Sequence, residues 1–340
     1  MNKLIRILAG LAIVQLVFVV FTNMGGHSLA GQAPNQPLLS FDKKQVDTLI
    51  IKGEKNAELK LSKKEGKWQT EEGFPANQEK VENLIGKMYE MKHGLPVANS
   101  DTAIKRFKVA NDQFERYISL QKSDQKLAAL YVGSGAGARQ THVRSDEDVT
   151  VYTGLLGIYD APDSIGDWQD KNVLQFNKVD VRSIKLDDRV FQRVETKEKE
   201  SKATQWQWQS ANIPKGKRLD QKAINDGLSS LANLTFNKVL GKESKSEYGM
   251  DKPVLKLHLM FKEGEREYLL GQLEDKDDYV LKVSDRPEYF QLGSSVTKSI
   301  VDSTKSWLAD EVKEEPKATE NDKPDSQPVA GDPPNDSGAK

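Results

Sequence analysis

The stretch from Tyr248 to Trp307 repeats, in altered form, a pattern already present between Phe107 and Trp168. Tyr248 answers Phe107 at a spacing of 141 residues, Gly271 answers Gly133 at 138, and Trp307 answers Trp168 at 139. Upstream, Val181 to Leu186 answers Val46 to Ile51 at 135, and Trp208 answers Trp68 at 140. Landmarks that hold within a few residues over such a distance point to a duplicated unit. The period is longer than that of solenoid repeats, so each copy is large enough to bury its own core. Two tandem domains are expected, residues 41–176 and 177–312.

Each unit reads as α+β. Val46-Asp47-Thr48-Leu49-Ile50-Ile51 is apolar and β-branched, residues 57–61 alternate, and Lys67-Trp68-Gln69-Thr70 closes a meander. Asn77 then stands as the cap of a helix carrying Val81, Leu84, Ile85, Met88 and Met91 at helical spacing. Strand-like runs follow at 117–120, 127–132, 141–144 and 149–152. The segment from Ile158 to Trp168 reads as a short closing helix or turn. In the second unit, Gln221, Ile224, Leu228, Leu231 and Leu234 trace the corresponding helix. The predicted architecture is mainly antiparallel sheet with one or two helices in each copy.

The ends differ in character. Leu4 to Phe21 is an apolar run behind Lys3 and Arg6, about the length of a membrane-crossing helix. Its flanking charges predict a cytoplasmic N-terminus and an exported body. Residues 1–24 are thus read as an uncleaved signal anchor of the inner membrane with a periplasmic body. A cleaved signal peptide ending at Ser28-Leu29-Ala30 is the competing reading. Residues 25–40 read as a flexible spacer. Residues 313–340 hold almost no apolar side chains and are expected to be disordered.

Lys and Arg number 50 against 51 Asp and Glu, for a formal net charge of −1. That balance gives no global attraction to nucleic acid. The chain has no cysteine, which removes disulfides, thiolate metal sites and cysteine catalysis. Its four histidines, His27, His93, His142 and His258, show no metal-ligand spacing. Gly133-Ser134-Gly135-Ala136-Gly137-Ala138 formally satisfies a dinucleotide fingerprint, but the residues after it look like a strand, where the fingerprint requires a helix. The loop after Gly271, with Glu274, Asp275, Asp277 and Asp278, is acidic and lacks the glycine turn of a calcium loop. Both 133–140 and 271–279 therefore read as variable hairpin tips. Trp206 and Trp208 share one face of a strand. Trp208 has its counterpart in Trp68 and reads as core, whereas Trp206 has none and is the one speculative ligand contact. No catalytic, cofactor or metal residues are nominated.

Tyr248-Gly249-Met250-Asp251-Lys252-Pro253 resembles the opening motif of the bacterial domain of unknown function family 4340. The Leu269-Leu270-Gly271 step, the hairpin at Tyr279 and the strand Glu288-Tyr289-Phe290-Gln291-Leu292 continue the resemblance. The first copy departs from it, since Phe107-Lys108 replaces the tyrosine-glycine pair and the proline is missing. Tyr248, Gly249, Asp251, Pro253, Gly133, Gly271, Trp68, Trp168, Trp208 and Trp307 look like a structural signature. The resemblance implies an exported, often membrane-anchored protein, some of whose relatives are associated with ABC-type export or gliding motility. The expected function is a non-catalytic extracytoplasmic module serving an envelope or transporter complex. An envelope glycan- or lipid-binding protein is the alternative, and a hydrolase with residues from both domains a further one.

Overall fold

Period-two alternation decides most of this molecule. A computed structural model describes residues 10–17, 35–55, 58–197, 204–273 and 278–311. Residues 10–17 are helical, and among the described residues no helix is long and apolar enough to cross a membrane. The rest of the Leu4–Phe21 run, residues 25–34 of the expected spacer, the acidic run 274–277 and the tail 313–340 lie outside the described residues.

The fold is α+β, with antiparallel sheets and few helices. The first sheet holds β1 (Thr48–Gly53), β2 (Glu58–Lys64), β3 (Lys67–Thr70), β4 (Arg116–Lys122), β5 (Gln125–Gly137), β6 (Gln140–Ser145) and β7 (Tyr152–Gly154). Their order is β3-β2-β1-β4-β5-β6-β7. The second part supplies β8 (Val181–Leu186), β9 (Arg189–Lys197), β10 (Thr204–Gln209), β11 (Lys217–Leu219), β12 (Lys238–Gly241), β13 (Leu255–Phe261), β14 (Glu265–Gln272), β15 (Tyr279–Val283), β16 (Tyr289–Leu292) and β17 (Leu308–Asp310). Here the main order is β10-β9-β8-β13-β14-β15-β16-β12, with β11 and β17 forming a separate pair. Leu49 and Ile51, Ile118 and Leu120, Leu130 and Val132 turn one face of the first sheet inward. Ile184 and Leu186, Leu257 and Leu259, Tyr268 and Leu270 do so in the second.

A helix covers each inward face. In α1 (Gln78–Glu90), Val81, Leu84, Ile85 and Met88 form the buried stripe, and the Asn77 side chain accepts the Lys80 N–H at 2.9 Å. After the short α2 (Asp101–Arg106), α3 (Gln221–Ala232) buries Ile224, Leu228 and Leu231 and is capped by Asp220 on the Ala223 N–H. The last helix, α4 (Ser294–Lys305), packs on α3. The first residue of each covering helix also holds a strand edge. Gln78 accepts the Trp68 N–H at 2.7 Å and returns a bond to its carbonyl at 2.9 Å. Gln221 does the same for Trp208, at 2.7 and 2.8 Å. A carboxamide thus stands where a further strand would pair, which blunts the edge at that point.

Two glycines permit the closest backbone approaches. A β-carbon on Gly133 would lie 2.0 Å from the Phe107 carbonyl oxygen, and one on Gly271 would lie 2.0 Å from that of Tyr248. This corrects the reading of 133–140 as a hairpin tip. The strand β5 runs on through Gly137, and the turn is only Ala138-Arg139, both at positive φ. A glycine-rich run looks like a loop, but here its lack of side chains lets a strand pass against the Phe107 backbone.

The two parts are pinned together by Phe74, 2% exposed, which precedes α1 yet lies in the core beneath the second sheet. It meets Phe236 and Phe290 edge-on, with ring centroids 5.7 and 6.2 Å away. Leu174 joins the same core, and the Phe176 N–H bonds the Ala232 carbonyl at 3.2 Å.

One pairing in the first core carries a pH signature. The Trp68 indole donates to Glu82 at 2.7 Å and the Lys63 ammonium does so at 2.9 Å. Burial opposes ionisation of Glu82, but these donors outweigh it and hold its carboxyl below the ordinary value. A depressed folded value gives stability that is present above the ordinary glutamate range and lost as pH falls through the folded value. Glu82→Gln is therefore expected to lower the melting temperature at neutral pH and to flatten its fall on the acid side. Thermal melts of both proteins between about pH 7 and pH 3 check this; parallel acid limbs would contradict it.

Candidate functional site

Most residues marked in the sequence serve packing. Trp68, Trp168, Trp208 and Trp307 are buried, as is Tyr248. Gly249 ends the turn at Tyr248 with φ of 65°, while Asp251 is exposed and Pro253 half-buried beside it. Nothing gathers these side chains around a common point of chemistry.

The three described histidines are separately engaged, and His27 lies outside the described residues. His93 is buried against the Tyr152 ring, with centroids 4.7 Å apart. His258 stands on the solvent side of β13, opposite Glu267 of β14, with its Nε2 3.2 Å from the carboxylate of Glu265. His142 stacks on Phe107 at 4.0 Å and approaches the Ser134 hydroxyl at 3.2 Å, a spacing that superficially resembles a nucleophile and its base. The same nitrogen, Nδ1, lies 2.9 Å from the Ser134 carbonyl oxygen. A carbonyl can only accept, so Nδ1 carries the proton and cannot take one from the serine. The Ser134 hydroxyl itself is turned to the Phe107 carbonyl, at 3.3 Å. Among the described residues, no group of three His, Asp or Glu side chains is arranged to hold a metal ion.

Trp206 is placed differently. It sits on β10, the outermost strand of the second main sheet, opposite Glu195 of β9. It shares the inward phase of Trp208 but lies past the end of the core and is 41% exposed. Two guanidiniums lie close to its ring. The Cζ of Arg193 is 5.0 Å from the ring centroid and that of Arg182 is 5.4 Å from it. Such contacts are worth about 0.5–1 kcal/mol each where solvent reaches them. A bond from Arg193 to the Lys178 carbonyl at 3.1 Å fixes one guanidinium. Burial first, and the Arg182 charge second, hold the Arg193 guanidinium below its ordinary value. An anion placed here would relieve both penalties.

The backbone at this point is also open. Trp208 directs its N–H and carbonyl away from β9, toward Gln221. By strand alternation the N–H and carbonyl of Trp206 face the same way. They have no backbone partner among the described residues. The position that corresponds to Trp206 at the spacing of the Trp68–Trp208 pair is Gly66, in a turn.

Sequence reasoning singled out Trp206 and missed both arginines. A signal for them exists. Arg182 is in phase with Ile184 and Leu186, and Arg193 with Phe191. An arginine on the apolar phase of a strand marks where a core ends and an inward face becomes accessible.

A family model described as Domain of unknown function (DUF4340) matches residues 68–253, more than half of the chain. The chain belongs to this family. The DUF4340 match starts at Trp68 and ends at Pro253, so it includes the Trp206 cluster and the Tyr248–Pro253 motif. Leu269-Leu270-Gly271 and the strands after it, which also carried the resemblance, lie beyond the matched stretch. No curated protein and no solved structure matches the chain.

Proposed function

We propose that this DUF4340 protein is a non-catalytic, membrane-anchored extracytoplasmic module that binds a partner protein of an envelope or ABC-type transport complex. The observation that carries the reading is the exposed Trp206 ring beside Arg182 and Arg193 on an edge strand with open backbone groups. An extended acidic segment of a partner suits both features. Its backbone can add to β10, and its carboxylates can meet the two guanidiniums. The anchor rests on the apolar run Leu4–Phe21 behind Lys3 and Arg6.

The same proposal includes a tandem duplication. Its support is the shared strand order β2-β1-β4-β5-β6-β7 and β9-β8-β13-β14-β15-β16, the matched glutamine clamps on Trp68 and Trp208, and the matched glycine contacts at Gly133 and Gly271. In this view both copies keep the packing chemistry, and Trp206 is the second copy's addition.

The test places a photo-cross-linking residue at position 206 of the full chain in native membranes, followed by mass spectrometry. The expected product is one partner, cross-linked through an acidic segment. Trp206→Ala should reduce capture from a neighbouring site by about tenfold, equivalent to a hot-spot aromatic, while the melting temperature stays within about 2 °C. Equal capture by Trp206→Ala would overturn the assignment of the contact. An exposed tryptophan could also stack on a sugar ring. A saturable change in tryptophan fluorescence with cell-wall fragments, lost in Trp206→Ala, would favour that alternative.

A further inference from the structure

The three most exposed large apolar side chains among the described residues are Tyr159, Leu95 and Leu155, at 90%, 75% and 71%. Single exposures of this kind are ordinary, but these three share one end of the first part of the molecule. The Val97 N–H bonds the Val151 carbonyl at 2.8 Å and Ala98 bridges Val151, which sets the segment 95–98 along the residues that lead into β7. Leu155 directly follows β7. Tyr159 is brought alongside by its neighbour Asp160, which pairs with Lys87 near the end of α1 at 2.5 Å.

Their exposure is built into the backbone. The Thr141 hydroxyl donates to the Leu156 carbonyl at 2.6 Å and the Leu156 side chain is fully buried, so its neighbour Leu155 is turned outward. The Asp160 carboxylate accepts the Gly157 N–H at 2.8 Å, and the Gly157 carbonyl accepts the Asp160 N–H at 3.0 Å. A turn tied in this way presents the Tyr159 ring at little entropic cost. Thr141 pairs with Gly154, so the Ala138-Arg139 turn lies just past the end of β7, at the same end. The exposed charges here are Lys92 and Arg139 against Glu90, since Asp160 is already paired.

The chain also enters the body at this end. The Asn35 N–H bonds the His93 carbonyl at 3.0 Å and Pro37 bridges Lys92, within a few positions of Leu95. Only residues 22–34 separate Asn35 from the apolar run Leu4–Phe21, a length that reaches roughly 50 Å even when fully extended. We propose, on the anchored reading given above, that this end of the body rests on the extracytoplasmic surface of the bilayer. Leu95 and Leu155 enter the acyl boundary, and Tyr159 lies at the headgroup level, where a ring with a polar tip is favoured. The tether selects lipid as the occupant, because it holds this face near the bilayer whichever protein partner is present.

The test uses the absence of cysteine, which lets a single one be placed anywhere in the full chain. Leu155→Cys, Tyr159→Cys and a control, Asp124→Cys, are each labelled with an environment-sensitive fluorophore. Asp124 is exposed in the turn before β5, at the opposite end of that strand from Arg139. The proteins are reconstituted into vesicles of phosphatidylcholine and phosphatidylglycerol, with and without a lipid carrying a shallow nitroxide quencher. Labels at 155 and 159 are expected to be blue-shifted and quenched, and the label at 124 neither. With the label at 159, Leu95→Ser combined with Leu155→Ser, both at exposed positions, should lower the ratio of docked to undocked body about tenfold, the scale of one buried leucine. Flotation of the vesicles reports the anchor separately. Protein that floats with unquenched labels at 155 and 159, with equal quenching at 124, or with quenching unchanged by the double serine variant overturns the proposal and leaves the anchor standing. Protein that does not float overturns both. Labels shielded in native membranes but unquenched in pure lipid would show a protein occupant and would equally overturn it.

Discussion

Phe74→Ala is expected to lower the stability of the whole protein by roughly 3–5 kcal/mol, the range for removing a buried phenylalanine from a packed core. The size of the effect is less telling than its location. Phe74 belongs by sequence to the unit containing β3 and α1, yet its ring is packed with Phe236 and Phe290, whose own centroids are 5.1 Å apart. Truncation leaves a cavity under the second sheet, where three edge-on or tilted rings currently exclude water. It also removes a pin between the two parts, leaving Leu174 in the second core and polar contacts such as Lys171 to the Asn237 carbonyl at 3.1 Å, which are individually weak. Urea unfolding followed by circular dichroism is the measurement. A lowered midpoint is expected, with one cooperative transition separating into two as the second part unfolds first. A change below about 1 kcal/mol would mean that the neighbouring rings close the cavity, contrary to the packing described.

Gly271→Ala should be at least as damaging, with an expected loss of about 4 kcal/mol or failure to accumulate as soluble protein. The new β-carbon would fall 2.0 Å from the Tyr248 carbonyl oxygen and 3.0 Å from the Gly249 carbonyl carbon. Both are backbone atoms, so no side chain can rotate out of the way. Either β14 must leave the sheet or the Tyr248–Gly249 turn must move. That turn has little freedom, because Gly249 is itself in the left-handed region, and a β-carbon there would lie 2.6 Å from the Gln272 carbonyl. Gly133→Ala meets the same obstacle at the Phe107 carbonyl. Gly135→Ala is the control. Nothing lies within 4 Å of its added methyl, and the strand should tolerate it or gain about 0.5–1 kcal/mol from reduced unfolded-chain entropy. Soluble yield and thermal melts of the three variants separate these outcomes. A well-folded Gly271→Ala would show that the contact is not obligatory.

These two predictions differ in how far the sequence anticipates them. The pairing of Gly133 with Gly271 is visible as a repeated landmark, and so is the company of Phe107 and Tyr248. What the sequence hides is that each glycine touches the backbone of its aromatic partner. The run from Gly133 to Gly137 therefore has the composition of a loop, although it is strand. Nothing in the order of residues marks Phe74 as part of a core assembled more than a hundred positions later. The helix α2 also escaped, since it buries one side chain, Ile104, and so leaves no periodic stripe.

The candidate sites divide along the same line. Trp206 stands out in the sequence because no tryptophan answers it at the spacing that joins Trp68 to Trp208. Arg182 and Arg193 do not, since an arginine acquires its meaning from what packs beside it.

Alternation in the strands, helical spacing from Val81 to Met88 and the caps Asn77 and Asp220 are local matters, settled within a few residues by backbone sterics and side-chain phase. They determined the α+β class and the four core tryptophans. The crossing of Phe74 into the second core and the open edge at Trp206 depend on atoms far apart in the chain. Only the tertiary structure decided those, because burial and hydrogen-bond satisfaction belong to the folded assembly of segments, and no single segment contains them.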